Sequence, residues 1–218
     1  MLFRSLYSGP LFTHQLSHLW IDFRGLRDAF MRDHGSDYFE NSRQATYVQQ
    51  AYAVHNPMQF AGYGENCWGF TACDGPGWVT RAIKGKERRF FDYVARGVPD
   101  GPDDGTIAPW AVAASLPFAP EIVAPTLANM GGLHVHVKNR YGFKASINPV
   151  YHLHDNDGIG WVSRYHFGIN EGPTVLMIEN YRSGLPWQLM RGSAAIRRGL
   201  ERADFRGGWL STPHPSGD

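Results

Sequence analysis

The chain has 218 residues, 43% of them hydrophobic and 19% charged, with a formal net charge of +1. That length can bury a substantial core, the composition is globular rather than disordered, and interspersed charges give no electrostatic case for nucleic acid. No run approaches the roughly 18–20 apolar residues of a membrane span, and Arg4, Ser5, Tyr7 and Ser8 interrupt any apolar core of a signal peptide near the start.

In chain order, Leu19, Phe23, Leu26 and Phe30 recur at helical intervals and predict a helix over residues 17–32, with Gly35 as its stop. Asp37, three residues before Glu40, has the form of a capping box and opens a second helix that Pro57 ends. GKERRFFDYVARG predicts a short helix, and APWAVAASLPF and APEIVAPTLANMGG predict two more, rich in small apolar residues. Pro173 fits the first position of a helix through TVLMIENYRSGLPWQLMRG, and SAAIRRGLERADF closes the series. Strand signal is confined to LHVHVK and WVSRYHFGI. The sum is a mainly α chain of six or seven helices, read as one domain over residues 1–218.

Three connections, at residues 56–86, 97–108 and 141–172, exceed the roughly 12–15 residues beyond which structureless loops become uncommon and are often functional. They hold many of the acids and rings, including Tyr63, Glu65, Trp68, Asp74, Trp78, Asp103, Asp104, Trp161 and Glu171. Ordered loops of that composition on a helical scaffold suit a cleft for a neutral polar ligand. Thiol and metal chemistry are weaker readings. Cys67 and Cys73 form no C-x-x-C, and HLHDND at 152–157 lacks a full calcium-loop pattern. Neither a metal nor a cofactor is expected. The absence of G-x-S-x-G and of a phosphate loop removes the hydrolase-elbow and nucleotide readings.

Carboxylates remain. Glycoside hydrolysis needs one carboxylic acid to protonate the leaving oxygen and a second carboxylate to activate water or attack the anomeric carbon. Glu171, placed just before the expected helix at Gly172-Pro173, suits a base, because a helix N-terminus favours the ionised form. Glu179 is read as buried and paired with Arg182 at i+3.

Seven stretches carry a family resemblance: DYFENSRQAT, GYGENCWGFTACDGP, DDGTIAP, SLPFAPE, YGFKASINP, INEGPTVLMIENYRSGLPWQLM and IRRGL. From Ser8 to about Phe205 the chain resembles the glucoamylase-like domain of bacterial proteins. That group includes the endo-β-1,2-glucanases of glycoside hydrolase family 144 and a region of cyclic β-1,2-glucan synthases. The resemblance implies an (α/α)6 toroid whose cleft binds β-linked glucan, cleaved by paired acids with inversion. Transglycosylation, as in cyclic-glucan synthases, and non-catalytic glucan binding are the alternatives. Catalytic roles are expected of Glu171, Asp104 and Glu65. Tyr63, Trp68, Trp110 and Trp161 are expected to stack on sugar, and Asp74, Asp22, Arg24, Asn180 and Arg182 to hold hydroxyls. Where many relatives read Ile-Asp-Gln-Gly, this chain has Ile169-Asn170-Glu171-Gly172, which moves the carboxylate by one position. Twelve helices of about 11–14 residues with their connections need more than this length. These residues are therefore expected to form the C-terminal half of the barrel. A preceding half, with a glutamate suited to be the acid, or self-association is expected to cover the exposed helix face. Hydrolase relatives are exported, which implies a periplasmic or secreted setting.

Overall fold

The computed structural model describes residues 6–133, 140–152 and 160–212. The chain is mainly helical, with seven α-helices among the described residues. The strand expected at LHVHVK, apart from Leu133, lies outside the described residues, as does most of HLHDND.

The first expected helix does not form as one. Two 3-10 turns, Leu11–His14 and Leu16–Leu19, lead instead to a two-residue strand β1 (Leu26–Arg27) and a short helix α1 (Ala29–His34). Gly25 breaks the run by taking a left-handed φ of 73° and lying against Gly208, so the chain turns into β1. Leu19, Phe23 and Leu26 are nonetheless buried, and only Phe30 faces outward. Asp28 caps α1 by accepting from Met31 N at 2.9 Å, and Gly35 ends it at φ 64°.

Helix α2 (Tyr38–His55) starts as expected, with Asp37 accepting from Glu40 N at 2.9 Å, and stops at Asn56 before Pro57. Its buried stripe is mostly polar: Asn41, Ser42, Thr46 and Gln49. Gln49 shows why. Its amide donates to the Gly9 carbonyl at 3.0 Å and accepts from Phe70 N at 2.7 Å, so it supplies hydrogen bonds that two irregular segments lack.

The long connections contain short antiparallel pairs. Strand β2 (Ala72–Cys73) comes first, followed by β3 (Val79–Ile83) and β4 (Lys86–Phe90). The last two form a hairpin where a helix was expected in GKERRFFDYVARG. Lys84 and Gly85 take φ of 49° and 76°, the two left-handed positions of a tight hairpin turn, and this local geometry overrides helix propensity. Strand β5 (Val94–Ala95) returns to pair with β2.

Helix α3 (Pro109–Ala113) is buried at every residue and packs against α4 (Pro120–Leu133). Strands β6 (Ile147–Asn148) and β7 (Trp161–Val162) pair next, β7 being the short strand expected in WVSRYHFGI. Helix α5 (Gly168–Arg182) packs on α3 and begins five residues before Pro173, which lies inside it rather than at its first position. Pro173 is tolerated near the start, where few amides have helical partners. Gly184, at φ 69°, turns the chain into α6 (Leu185–Arg191), and Ser193 caps α7 (Ala194–Arg202). Strand β8 (Arg206–Gly207) closes back on β1.

Asn180 joins these layers. Its amide donates to the Leu19 carbonyl at 3.0 Å and its oxygen accepts from Trp187 N at 3.2 Å, while Trp187 Nε1 donates to the His18 carbonyl at 2.6 Å. The main core gathers Trp68, Phe70, Ile107, Val112, Phe118, Val123 and Met177 around α3.

Candidate active site

The three long connections converge on one polar network. DDGTIAP places two adjacent acids at a bend, where each carboxylate accepts from the amide two residues on and Gly105 takes a left-handed φ of 88°. Asp104 points inward and is fully buried. Its Oδ1 accepts from Arg96 Nε at 2.8 Å and Thr106 N at 3.1 Å, and its Oδ2 from Arg96 Nη2 at 2.8 Å and Phe91 N at 2.9 Å. A carboxylate has about four acceptor sites, and here all four are taken. Arg96, equally buried, also donates to the carbonyls of Cys73, Phe91 and Asp92. Asp104 therefore locks the loops and offers nothing to a substrate, a correction to its expected catalytic role.

Asp103 meets a different set of partners and is only partly buried. Tyr63 donates to its Oδ1 at 2.5 Å, Gly105 N to the same oxygen at 3.1 Å, and Tyr52 to Oδ2 at 2.9 Å. One acceptor site on Oδ2 stays open. Burial raises its pKa above the usual aspartate value, and the donors from Tyr63, Gly105 and Tyr52 offset only part of that. Sequence reasoning noticed Asp103 but bet on its neighbour, because adjacency alone does not say which acid faces in.

Asp74, in the first connection, is tied to the third at two points. Ser146 donates to its Oδ1 at 2.6 Å and Ser163 to its Oδ2 at 2.5 Å. Asn148 donates to the Asp104 carbonyl at 3.0 Å and to Thr106 Oγ1 at 2.9 Å, completing the link between the second and third connections. Ser163 Oγ accepts from Tyr165 N at 3.1 Å and so fixes the segment that enters α5.

Glu171 sits in the first turn of α5, within the helix rather than before it. Its side chain is 33% exposed, and its Oε1 lies 3.3 Å from His166 Nδ1. With Nδ1 donating to the carboxylate, His166 Nε2 is enclosed without a partner. Tyr141 packs edge-on against His166 at 5.6 Å, and Tyr165 lies tilted against Phe167 at 5.5 Å; both tyrosines are more than half exposed. Asn170 beside it is buried, so Glu171 is the carboxylate of this turn that reaches solvent.

The remaining expected residues fall into other places. Glu65 is exposed on the turn between Gly64 and Cys67, outside the network. Trp68 is fully buried with Nε1 bonded to Thr126 at 3.0 Å, and Trp110 is buried in α3, so neither offers a face to a sugar. Tyr63 is wedged between Phe60 and Phe70, at 5.5 and 5.0 Å, and serves Asp103 instead. Trp161 is partly open and packs on a satellite cluster of Phe60, Phe90, Val150 and Tyr151. The open indole of the region is Trp78, 68% exposed and edge-on to Phe91, whose amide binds Asp104.

Asp22 and Arg24 hold each other, with Oδ2 to Nη2 at 2.7 Å, and Arg191 adds a second cation. Burial pushes Asp22 toward the neutral form, but the Arg24 hydrogen bonds and both charges outweigh it and hold its pKa low. Arg24 itself lies over the Trp187 ring at 4.8 Å. Asn180 is a buried staple, and Arg182 is exposed and pairs with Glu179 at 3.4 Å. Glu179 is paired as expected but is one-third exposed rather than buried.

Both thiols are buried, and burial pushes Cys67 up to about 11 and Cys73 to about 12. Among the described residues no cluster of His, Cys, Asp or Glu could hold a metal ion, and no helix is long and apolar enough to cross a membrane.

Residues 2–194 match the sequence profile of a family described as "Putative glucoamylase". An exo β-1,2-glucooligosaccharide sophorohydrolase (non-reducing end) of Parabacteroides distasonis is 31% identical over 195 residues, covering 89% of this chain and 23% of that protein. The endo-β-1,2-glucanase of Chitinophaga pinensis, solved with sophorotriose and glucose, superposes with a TM-score of 0.76 at 28% identity. It matches 94% of this chain and 43% of its own. A β-1,2-glucanase of Parabacteroides distasonis gives a TM-score of 0.73 at 30% identity over 90% of this chain and 24% of its own. The chain spans about a quarter of the length of the curated relative and about two fifths of the Chitinophaga structure.

Proposed function

The chain belongs to the glucoamylase-like family, and on that premise we propose that it is a glycoside hydrolase acting on β-linked glucan, β-1,2-glucan foremost, by carboxylate acid/base catalysis with inversion. One observation carries the reading. Glu171 is a solvent-reaching carboxylate held by His166 among open tyrosine rings, in a chain whose relatives are named for β-1,2-glucan.

Glu171 acts as the base that takes a proton from the attacking water, and His166 holds its carboxylate in one orientation. Asp103 is the described carboxyl whose surroundings most favour the proton-bearing form, which a leaving-group acid needs. Asp104 and Asp74 keep the three connections in register. Trp78, Tyr165 and Trp161 supply ring faces, the usual way a protein grips the apolar face of a sugar. The helices belong to a single glucoamylase-like domain built as an (α/α)6 toroid, as the similarity to solved glucanases supports.

The test is incubation with linear β-1,2-glucan. Hydrolysis releases reducing ends, and inversion gives the α-anomer first in the product NMR spectrum. Transglycosylation would give rings or longer chains without new reducing ends, and a binding module would leave the glucan unchanged.

A further inference from the structure

Two tyrosines meet at Asp103, and the way they divide its oxygens decides where that carboxyl can carry a proton. Oδ1 accepts twice, from Tyr63 at 2.5 Å and from the Gly105 amide at 3.1 Å, whereas Oδ2 accepts once, from Tyr52 at 2.9 Å. Neither tyrosine hydroxyl has another partner among the described residues, so each spends its hydrogen on Asp103 rather than accepting from it. A carboxyl oxygen has about two acceptor positions. Both are filled on Oδ1, and the free one is on Oδ2. A neutral Asp103 therefore bears its proton on Oδ2, whereas Asp104, with every position taken, has no room for one.

The three anchors come from three places: Tyr52 from α2, Tyr63 from the first connection and Gly105 from the bend that carries Asp103 itself. The rings are seated independently of their hydroxyls, because both stand edge-on to Phe70, Tyr52 at 5.4 Å and Tyr63 at 5.0 Å. Burial, and then the charge of Asp103, holds both phenols above their ordinary value, so they stay donors wherever a carboxyl titrates. The other charge facing Asp103 is that of Asp104, which is compensated by Arg96.

We propose that Tyr52 and Tyr63 are positioning residues for Asp103, which fill its other acceptor positions and so confine its proton to Oδ2. The use of that proton rests on the hydrolase reading above; its placement does not. In hydrolysis it passes from Oδ2 to the glycosidic oxygen as the bond to the anomeric carbon breaks and leaves its electron pair on that oxygen. The attacking water gives its proton to Glu171, and both carboxyls then exchange protons with solvent. The tyrosines hold the carboxylate left on Asp103, since a hydrogen bond to an ionised acceptor is the stronger one.

The test uses the full chain with ¹³C-labelled aspartate, the Asp103 carboxyl carbon being the resonance that Asp103→Asn lacks. Its titration is followed in wild type, Tyr52→Phe and Tyr63→Phe, which keep the ring and delete the hydroxyl. Each deletion removes a bond that favours the ionised form, so each should make Asp103 about tenfold weaker as an acid. The variants are independent, so if one fails to fold the other decides. A titration that is unchanged, or moved toward a stronger acid, overturns the proposal, and no change is what a purely structural role of the rings predicts. Hydrolysis of β-1,2-glucan is assayed in parallel, and the alkaline limb of kcat/KM should move upward with the carboxyl titration while kcat falls. Moved titrations in a chain whose wild type releases no reducing ends reject the hydrolase reading alone. Hydrolysis with unmoved titrations rejects the role of the tyrosines alone.

Discussion

Replacing Asp104 by Asn separates a structural carboxylate from a catalytic one. In the native protein both Asp104 and Arg96 have no exposed side-chain surface, and the pair is bidentate with both contacts at 2.8 Å. Asp104→Asn keeps the volume but removes the charge and puts an amide donor where an oxygen accepted two hydrogen bonds. In one amide orientation, Nδ2 faces the Phe91 amide and Arg96 Nη2. In the other it faces Arg96 Nε and Thr106 N. Either choice leaves buried donors opposed and the guanidinium uncompensated. Removing one partner of such a pair costs about 3–5 kcal/mol, a large share of a typical total of about 5–15 kcal/mol. With a urea m-value of about 2 kcal/mol/M, the midpoint should fall by about 1.5–2.5 M. Tryptophan fluorescence suits the measurement, since Trp68, Trp110 and Trp187 are buried and report unfolding. If Asp104→Asn stays within about 0.3 M of wild type while glucan hydrolysis collapses, the reasoning is wrong and Asp104 belongs to the chemistry.

Glu171→Gln should lower reducing-end release by about 10²–10⁴-fold, the usual contribution of a general base, with little change in melting temperature because the side chain is partly exposed. Asp103 carries a signed pH effect. Its folded pKa lies above the ordinary 3.8, so its ionisation disfavours the fold. Its stabilising contribution is full below 3.8 and is lost as pH rises through the higher folded value. The stability of wild type relative to Asp103→Asn should therefore fall as pH rises from about 4 toward neutrality, and a flat difference would contradict the burial assigned to it. Cys67 and Cys73, buried and with raised pKa, should react with a thiol reagent at pH 8 only after unfolding. Rapid labelling of the native chain would show that one of them is accessible.

Local chemistry was strong enough to be read from the sequence wherever it acts over a few residues. Asp37 with Glu40 predicted the start of α2, and Gly35 the end of α1. Six of the seven quoted stretches lie within residues 2–194, the span that matches the family profile, and IRRGL follows it. Periodicity also found the buried side of residues 17–32, although the element itself is not a helix: Gly25 and the pairing of β1 with β8 bend that segment. The hairpin at Lys84-Gly85 was missed because a charged run reads as helix when its turn residues are overlooked.

The site was legible as a set of loops and not as a set of roles. Whether an acid acts on a substrate or on the protein depends on what meets its oxygens, and those partners are distant in sequence: Arg96 for Asp104, Ser146 and Ser163 for Asp74, Tyr52 and Tyr63 for Asp103. The same holds for the rings, since Trp68 disappears into the core while Trp78, ten residues on, stays open. The sequence determined which residue types gather in the connections and which family they mark. Tertiary structure alone decided which of two adjacent aspartates is sealed, because the groups that meet their oxygens, Arg96 and Phe91 for Asp104 and Tyr52 and Tyr63 for Asp103, come from other parts of the chain.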